Sequence, residues 1–553
     1  MHLRLLLRAA AAAAVLGSVG ASTAADPIRD LQTEAVRTKQ SDVAHWGFDP
    51  QAYSQWTSHS LRLIPVYAFG TGDAGPGIDL HSYAGVHSPY RDADSLLRLY
   101  GYLPEHTLNP EAEYFDQTNV ADIQFAALEA GKKHIFLVIF DGMDWQTTQA
   151  AAIYYSKSVL YTSGRGSGLH FLDYTADATT QYGFMVTAPH NDETDVDVNR
   201  QVVLNPGGKI RSGYNARKAG PNPWTAGDDD KYILGSFGNG YGEHAYPDSA
   251  NTATAMTTRV RTYNNAINVD PAGNPVPTIA HAAQDRGYSV GAVSSVPLTH
   301  ATPAAAYAHN VSRNDYQDLA RDMLGQPSVS HPNVPLPGLD VLLGGGYGVI
   351  DKEPNSKSQG VNYIPGMSYI ASETIHLADI KYGGKYTVSV RTPGEDGAAQ
   401  LGSAARQAAR NGTRLLGIYG VGEYGGHLPF RTADGDYEPA PGNKGVAEVY
   451  TAADLMENPT LAELTSAAIC VLETNDKGFW LMVEAGDVDW ANHDNNLDTS
   501  IGAVKSGDDA VKVITDWVEQ HSNWQDSVLI VTADHGHYLN ITRPEALTPR
   551  ASK

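Results

Sequence analysis

Lys133-His-Ile-Phe-Leu-Val-Ile-Phe140, followed at once by Asp141-Gly142, is the stretch on which the fold turns. A near-continuous apolar run of this length, without polar alternation, reads as a β-strand buried on both faces. Such strands belong to parallel sheets covered by helices. The pattern recurs downstream. Tyr288–Val293, Leu415–Tyr419, Phe479–Val483 and Ser527–Thr532 read as strands, and Thr278–Arg286 and Leu461–Leu472 read as helices. The expected fold is therefore α/β, with a mostly parallel central sheet, helices on both faces and long loop insertions at 190–245 and 331–445. Residues 421–445 read as a surface excursion, and Cys470 as a buried structural thiol.

Polar residues follow these apolar runs directly: Asp141 after the first, Glu484 after Phe479–Val483, and Asp534-His535 after Ser527–Thr532. Open α/β sheets bind ligands at the carboxyl ends of their strands. In Val483-Glu-Ala-Gly-Asp-Val-Asp-Trp-Ala-Asn-His493, Asp489 and His493 stand four residues apart and share a helix face, a ready pair of zinc ligands. Glu484 is a hard oxygen donor suited to magnesium. Tyr246-Pro-Asp-Ser-Ala-Asn-Thr-Ala-Thr-Ala-Met256 places Ser249 at the start of a helix, where free N–H groups and the helix dipole favour a phosphate. Taken alone, Asp248-Ser249 reads better as an ordinary helix cap. The company of Asp141, Glu484, Asp489, His493, Asp534 and His535 favours the site.

Composition sets outer limits. The chain has 553 residues and a formal net charge of −23, which argues against a nucleic-acid backbone binder. Residues 1–25 read as a secretory signal peptide: Arg4 and Arg8, then the apolar Ala9–Val19, then small residues to Ala25. No later run is long enough to span a membrane. The single cysteine permits no intrachain disulfide. An exported protein, periplasmic or extracellular, is expected, with residues 26–553 as one catalytic domain; a homodimer is left open.

Five motifs in order resemble the alkaline phosphatase family: Asp141-Gly142; Asp248-Ser-Ala-x-Thr-Ala-Thr-Ala255; Thr299-His-Ala-Thr-Pro-Ala-Ala305 with His309 and Arg313; the Glu484/Asp489/His493 spacing; and Thr532-Ala-Asp-His535. The set spans about residues 133–537. Neither a P-loop nor a Gly-x-Ser-x-Gly hydrolase motif frames these residues. The resemblance implies hydrolysis of small phosphate monoesters through a phosphoserine on Ser249, with two zinc ions and one magnesium ion. One zinc would be held by Asp141, Ser249, Asp534 and His535, the second by Asp489 and His493, and the magnesium by Asp141, Thr302 and Glu484. Arg313 would grip two phosphate oxygens with its planar fork. His300 and Trp490 occupy substrate-facing positions; at the latter, a family member with Lys would offer the phosphate a cation that Trp490 does not. Arg259 stands where a glycine is usual.

The second zinc lacks a third ligand in this set. In the family it is a histidine downstream of the Thr-Ala-Asp-His motif, followed by a Pro-Val-Tyr-Ala-x-Gly-like strand. Here that pattern stands near the N-terminus, as Trp56-Thr-Ser-His59 and then Pro65-Val-Tyr-Ala-Phe-Gly70. The expectation is a circular permutation: residues about 50–100 are the family's C-terminal segment, about 101–132 join it to the core of about 133–537, and His59 completes the second zinc. Termini close together at the surface permit such a rearrangement. The family's Thr-Gly after this histidine is Ser60-Leu61 here. A truncated chain with a chance N-terminal likeness is the rival account, and His106 and His427 are the rival ligands. A phosphodiesterase or sulfatase on the same scaffold, or a non-catalytic phosphate or metal binder, are the rival functions.

Overall fold

The computed structural model describes residues 26–234, 244–351 and 359–548; the expected signal peptide lies outside them. Ten strands form the central sheet: β1 (Ile64–Phe69), β2 (Phe115–Asp116), β3 (His134–Phe140), β4 (Gln181–Val186), β5 (Ser289–Pro297), β6 (Val341–Gly345), β7 (Tyr386–Val390), β8 (Arg414–Ile418), β9 (Phe479–Ala485) and β10 (Ser527–Thr532). Their order is β7-β8-β6-β5-β9-β3-β10-β1-β4-β2. The first seven strands in that order are mutually parallel. Only β1 is reversed, running antiparallel to both β10 and β4.

The strand that decided the expectation sits near the centre. β3 lies between β9 and β10, and from Ile135 to Phe140 every side chain is buried. The helices that cover the sheet are α1 (Thr118–Glu129), α2 (Trp145–Ser156), α3 (Ser249–Thr258), α4 (Ile279–Asp285), α5 (Ala301–Ala304), α6 (Tyr316–Leu324), α7 (Gly397–Asn411), α8 (Leu461–Leu472), α9 (Asp487–His493) and α10 (Leu497–His521). They pack in two groups, α7-α8-α10-α2 and α1-α3-α4 with α5 and α6, and both groups touch β5 or β9. Strands contacted from two sides leave no face for water, which is why their sequences are apolar throughout rather than alternating.

Four local readings change, first that the expected loop over 331–445 carries β6, β7, α7 and β8. The joining segment is not featureless: it carries β2 and α1. The 421–445 region is not a pure surface excursion, because His427, Thr432, Ala433 and Ala440 are buried. Cys470 is half-buried on α8, not enclosed. Arg259, the residue without an explanation in the sequence, ends α3 in the left-handed conformation at φ +70°, which accounts for the family's glycine there. Its guanidinium bonds Asp122 at 2.9 Å and lies 4.0 Å from the Phe125 ring, both on α1, and so helps offset the strain.

The segment before β3 is fastened by a buried ion pair. Asp116 Oδ2 accepts from Arg261 Nε at 3.0 Å and from Tyr90 Oη at 2.7 Å, while Oδ1 accepts from Thr118 at the start of α1. Both charged side chains are almost wholly enclosed. Breaking such a pair strands a buried charge. Asp116→Ala is expected to cost about 3–5 kcal/mol in urea unfolding, far more than an exposed ion pair such as Arg37–Glu34.

Candidate metal centre

Each chemical residue is delivered by an element whose local sequence explains its position. β3 ends in Asp141, and Gly142 then turns the chain with φ +72°. A Cβ at Gly142 would stand 2.7 Å from the His537 ring and 3.1 Å from the Asp489 backbone, so only glycine fits. The Gly142 N–H donates to Asp534 Oδ1 at 2.9 Å, tying the ends of β3 and β10 together. Asp248 caps α3 by accepting from Asn251 N, which sets Ser249 in the first turn.

Ser249 Oγ lies 3.5 Å from Asp141 Oδ1 and 3.3 Å from His535 Nε2. His535 Nε2 is in turn 3.3 Å from Asp141 and 3.4 Å from Asp534. The four residues expected to share one ion therefore converge. Thr302, at the start of the short α5, donates to Asp141 Oδ2 at 3.3 Å. Glu484 is buried beside them and takes the Ser294 hydroxyl.

His59 comes to the second group. Its Nε2 is 3.1 Å from His493 Nε2 and 3.6 Å from Asp489 Oδ1, and His493 Nε2 is 3.5 Å from the same oxygen. Tautomers decide what these contacts mean. His59 Nδ1 donates to the Pro247 carbonyl at 2.9 Å and His493 Nδ1 to the Thr57 carbonyl at 2.6 Å. Both Nε2 atoms then carry lone pairs pointing at one spot next to a carboxylate, the arrangement a divalent cation requires. The rival His427 is instead held by Glu448 and the Leu428 carbonyl.

Arg313 enters from the other side, bonded to Asp248 Oδ2 at 3.0 Å. His300 and Trp490 are neighbours, with ring centroids 5.7 Å apart. Ser249, His59, His300, Arg313, Trp490 and His493 line a pocket of about 470 Å³.

His537 was missed by the sequence reading. Its Nε2 lies 2.6 Å from Asp489 Oδ1, buried, where it orients that carboxylate. The signal was present: two residues beyond His535 in extended chain, a side chain returns to the same side. The Asp248–Arg313 pair was also missed, since it joins residues 65 positions apart.

The electrostatics favour cations. Asp141, Glu484, Asp489 and Asp534 are all buried, and among the described residues no Lys or Arg pairs with any of them. Burial, then the charges of Asp534, Asp489 and Glu484, push Asp141 well above the usual carboxylate range. Burial pushes Glu484 to about 8 and Asp534 to about 6. Burial drives His535 well down, so it stays neutral and able to ligate. Asp489 goes the other way: against burial, His493, His537 and His59 hold it well below its ordinary value. Buried carboxylates beside imidazole nitrogens are the donor chemistry of zinc and magnesium sites.

Residues 210–368 and 403–550, more than half of the chain, match the model of the alkaline phosphatase family. The chain belongs to that family. It is 32% identical over 310 residues to the alkaline phosphatase of Escherichia coli (strain K12), covering 55% of this chain and 60% of that one. It is 28% identical over 290 residues to alkaline phosphatase 4 of Bacillus subtilis (strain 168), covering 52% and 49%. The human tissue-nonspecific alkaline phosphatase is 26% identical over 356 residues, covering 60% of each chain. The match thus spans about half to three fifths of the length of these relatives. His59 and Asp141 both fall outside the residues matched to the alkaline phosphatase family model, and it is the fold that brings them to the rest.

The carboxylate pKa values give a signed prediction for the metal-free protein. Glu484 rises from 4.5 to about 8 and Asp534 from 3.8 to about 6, so between those limits the folded chain holds protons that the unfolded chain has released. Stability then falls as pH rises. Below about pH 6.5 the buried neutral histidines, His535, His537 and His300 among them, give the opposite slope, so in excess chelator the melting temperature is expected to drop from about pH 7 to about pH 8, where Glu484 still holds its proton only in the folded chain. Added Zn2+ and Mg2+ should abolish the drop, because bound cations replace those protons.

Proposed function

We propose that this chain hydrolyses small phosphate monoesters through a covalent phosphoserine on Ser249, with two zinc ions and one magnesium ion. The observation that carries the reading is Ser249 itself. Its hydroxyl opens α3, stands between Asp141 and His535, and shares the pocket with Arg313 and the His59–Asp489–His493 group. Asp141, Asp534 and His535 would hold one zinc beside Ser249. His59, Asp489 and His493 would hold the second, and Asp141, Thr302 and Glu484 the magnesium. When bound, such ions lower the pKa of hydroxyl groups and neutralise charge on oxygen.

The chain's own groups do the rest. The N-terminus of α3 presents free N–H groups and its dipole to the phosphoryl oxygens. Arg313 is held in the pocket by Asp248, and its planar fork suits two of those oxygens. Ser249 Oγ attacks phosphorus, the ester P–O bond breaks, and the alcohol leaves with a proton. Water then attacks the phosphoserine, returning the serine hydroxyl and releasing phosphate. Such transfers depend on positioning and charge stabilisation. His300, driven by burial to a pKa of about 3, faces the pocket as a neutral group beside Trp490. Neither side chain brings a cation to the substrate; Arg313 and Lys444 are the Arg and Lys that line the pocket.

The position of β1 supports the permuted order. Val66–Phe69 pairs with β10 in antiparallel register, Val66 opposite Thr532, and Ser60 N bonds Gly536 O at 2.7 Å. The N-terminal segment thus lies against the Thr-Ala-Asp-His motif and hands His59 to Asp489. We read residues 26–553 as one catalytic domain of an exported protein. Among the described residues no helix is long and apolar enough to cross a membrane.

Ser249→Ala is expected to abolish turnover of p-nitrophenyl phosphate while zinc and magnesium contents stay near those of the unaltered protein; retained turnover would sink the nucleophile. The bis ester and the sulfate of the same phenol should be poor substrates, and faster cleavage of either would move the assignment to a diesterase or sulfatase. His59→Ala should remove close to one zinc per chain and depress kcat at least about 10-fold, the scale of losing metal-site ligands or their supports. An unchanged zinc content would refute its place in the second site.

A further inference from the structure

A second cluster of ligating side chains lies on the stretch around Arg313. His309 precedes it by four residues, Asp322 follows on α6, and His331 comes from the loop after α6. One ligand atom from each lies within 4.8 Å of the others. None of these three residues belongs to the set gathered around Ser249.

The hydrogen bonds fix the tautomers. His309 Nε2 lies 3.0 Å from the Val276 carbonyl, an acceptor, so Nε2 carries the proton and Nδ1 a lone pair. His331 Nδ1 lies 3.1 Å and 3.2 Å from the two oxygens of Asp322, so Nδ1 carries the proton and Nε2 a lone pair. These two lone-pair nitrogens, His309 Nδ1 and His331 Nε2, face each other at 3.4 Å. With both rings neutral, two acceptors in contact repel. Something positive must stand between them, either a proton on one ring or a metal ion.

The surroundings favour the metal. Two nitrogens bound tetrahedrally to one zinc at about 2.0–2.1 Å stand about 3.4 Å apart. His309 is enclosed, with its ring between those of His281 and His331, and burial followed by His281 lowers its pKa to about 3. The neighbouring His281 accepts from Thr278 N at Nδ1, so it offers no lone pair to the pair. Asp322 supplies what a ligating histidine commonly has behind it, a carboxylate on its far nitrogen. That carboxylate is itself fixed by Ser328 Oγ at 2.5 Å and by the His309 backbone N–H at 3.0 Å. His331 keeps 17% of its side chain exposed, which opens a path for an ion and room for water ligands.

We propose that His309 Nδ1 and His331 Nε2, backed by Asp322, bind a divalent transition metal of the zinc class at a site separate from the one around Ser249. The ion would tie the chain entering Arg313 to the loop that follows α6. Imidazole pairs suit zinc, copper and nickel, not magnesium or calcium.

The test uses the full-length protein, stripped with chelator and refilled with Zn2+ alone. Zinc per chain is measured by mass spectrometry after dialysis, together with the zinc-induced rise in melting temperature. His331→Ala is expected to bind one equivalent less than the unaltered protein and to show a smaller rise. His331→Gln, which keeps bulk but offers no imidazole lone pair, should match it. Asp489→Ala should lose its equivalent independently, and the double variant both, so that failure at one centre is distinguishable from failure at the other. Equal zinc content in the unaltered protein and both His331 variants would overturn the proposal and assign the contact to a proton shared between the rings.

Discussion

Four buried carboxylates, none paired with a Lys or Arg among the described residues, set the terms for the centre of this protein. Asp141, Glu484, Asp489 and Asp534 come from two strand ends, a turn and a helix, and the fold presses them together under cover. Burying one unpaired carboxylate is costly, and burying several side by side compounds the cost through mutual repulsion. The sheet can hold them in this arrangement only with protons or cations among them. The strained and tight positions nearby follow from that demand: a turn at Gly142 with no space for a side chain, and three imidazoles crowded around Asp489.

Rigidity comes from the elements behind the ligands. β3 is clamped between β9 and β10, so Asp141, Glu484 and Asp534 inherit their spacing from strand pairing rather than from loops. Ser249 owes its place to the Asp248 cap, and the second oxygen of Asp248 holds Arg313. One aspartate thereby sets both the proposed nucleophile and the cation that faces it. Supporting shells of this kind keep a site within the small tolerances its chemistry demands.

Much of this was legible in the chain. Unbroken apolar runs marked β3, β9 and β10, because a strand buried on both faces leaves no alternating polar positions. The polar residues directly after them could be read as strand-end chemistry. The Asp489–His493 spacing marked one helix face, and the Trp56–Gly70 pattern marked the reversed strand that brings His59 inward. What stayed hidden was pairwise and non-local. His537 lies two residues past a recognised motif, yet its partner Asp489 is 48 residues away. Arg259 looked anomalous until α1 supplied Asp122 and Phe125, and β2 and α1 were obscured because the Asp116–Arg261 pair that fastens them joins positions 145 residues apart.

The reversed strand has a consequence for how the chain is made. β1 is made long before one of its neighbours, β10, whose Thr532 lies opposite Val66. Through most of synthesis β1 has an unsatisfied edge, and His59 has no Asp489 to meet. The pocket cannot close from a nascent fragment, because β10 follows so far behind its partner β1 in the chain. Folding of this sheet is therefore a late event of high contact order, slow by the usual relation between topology and rate.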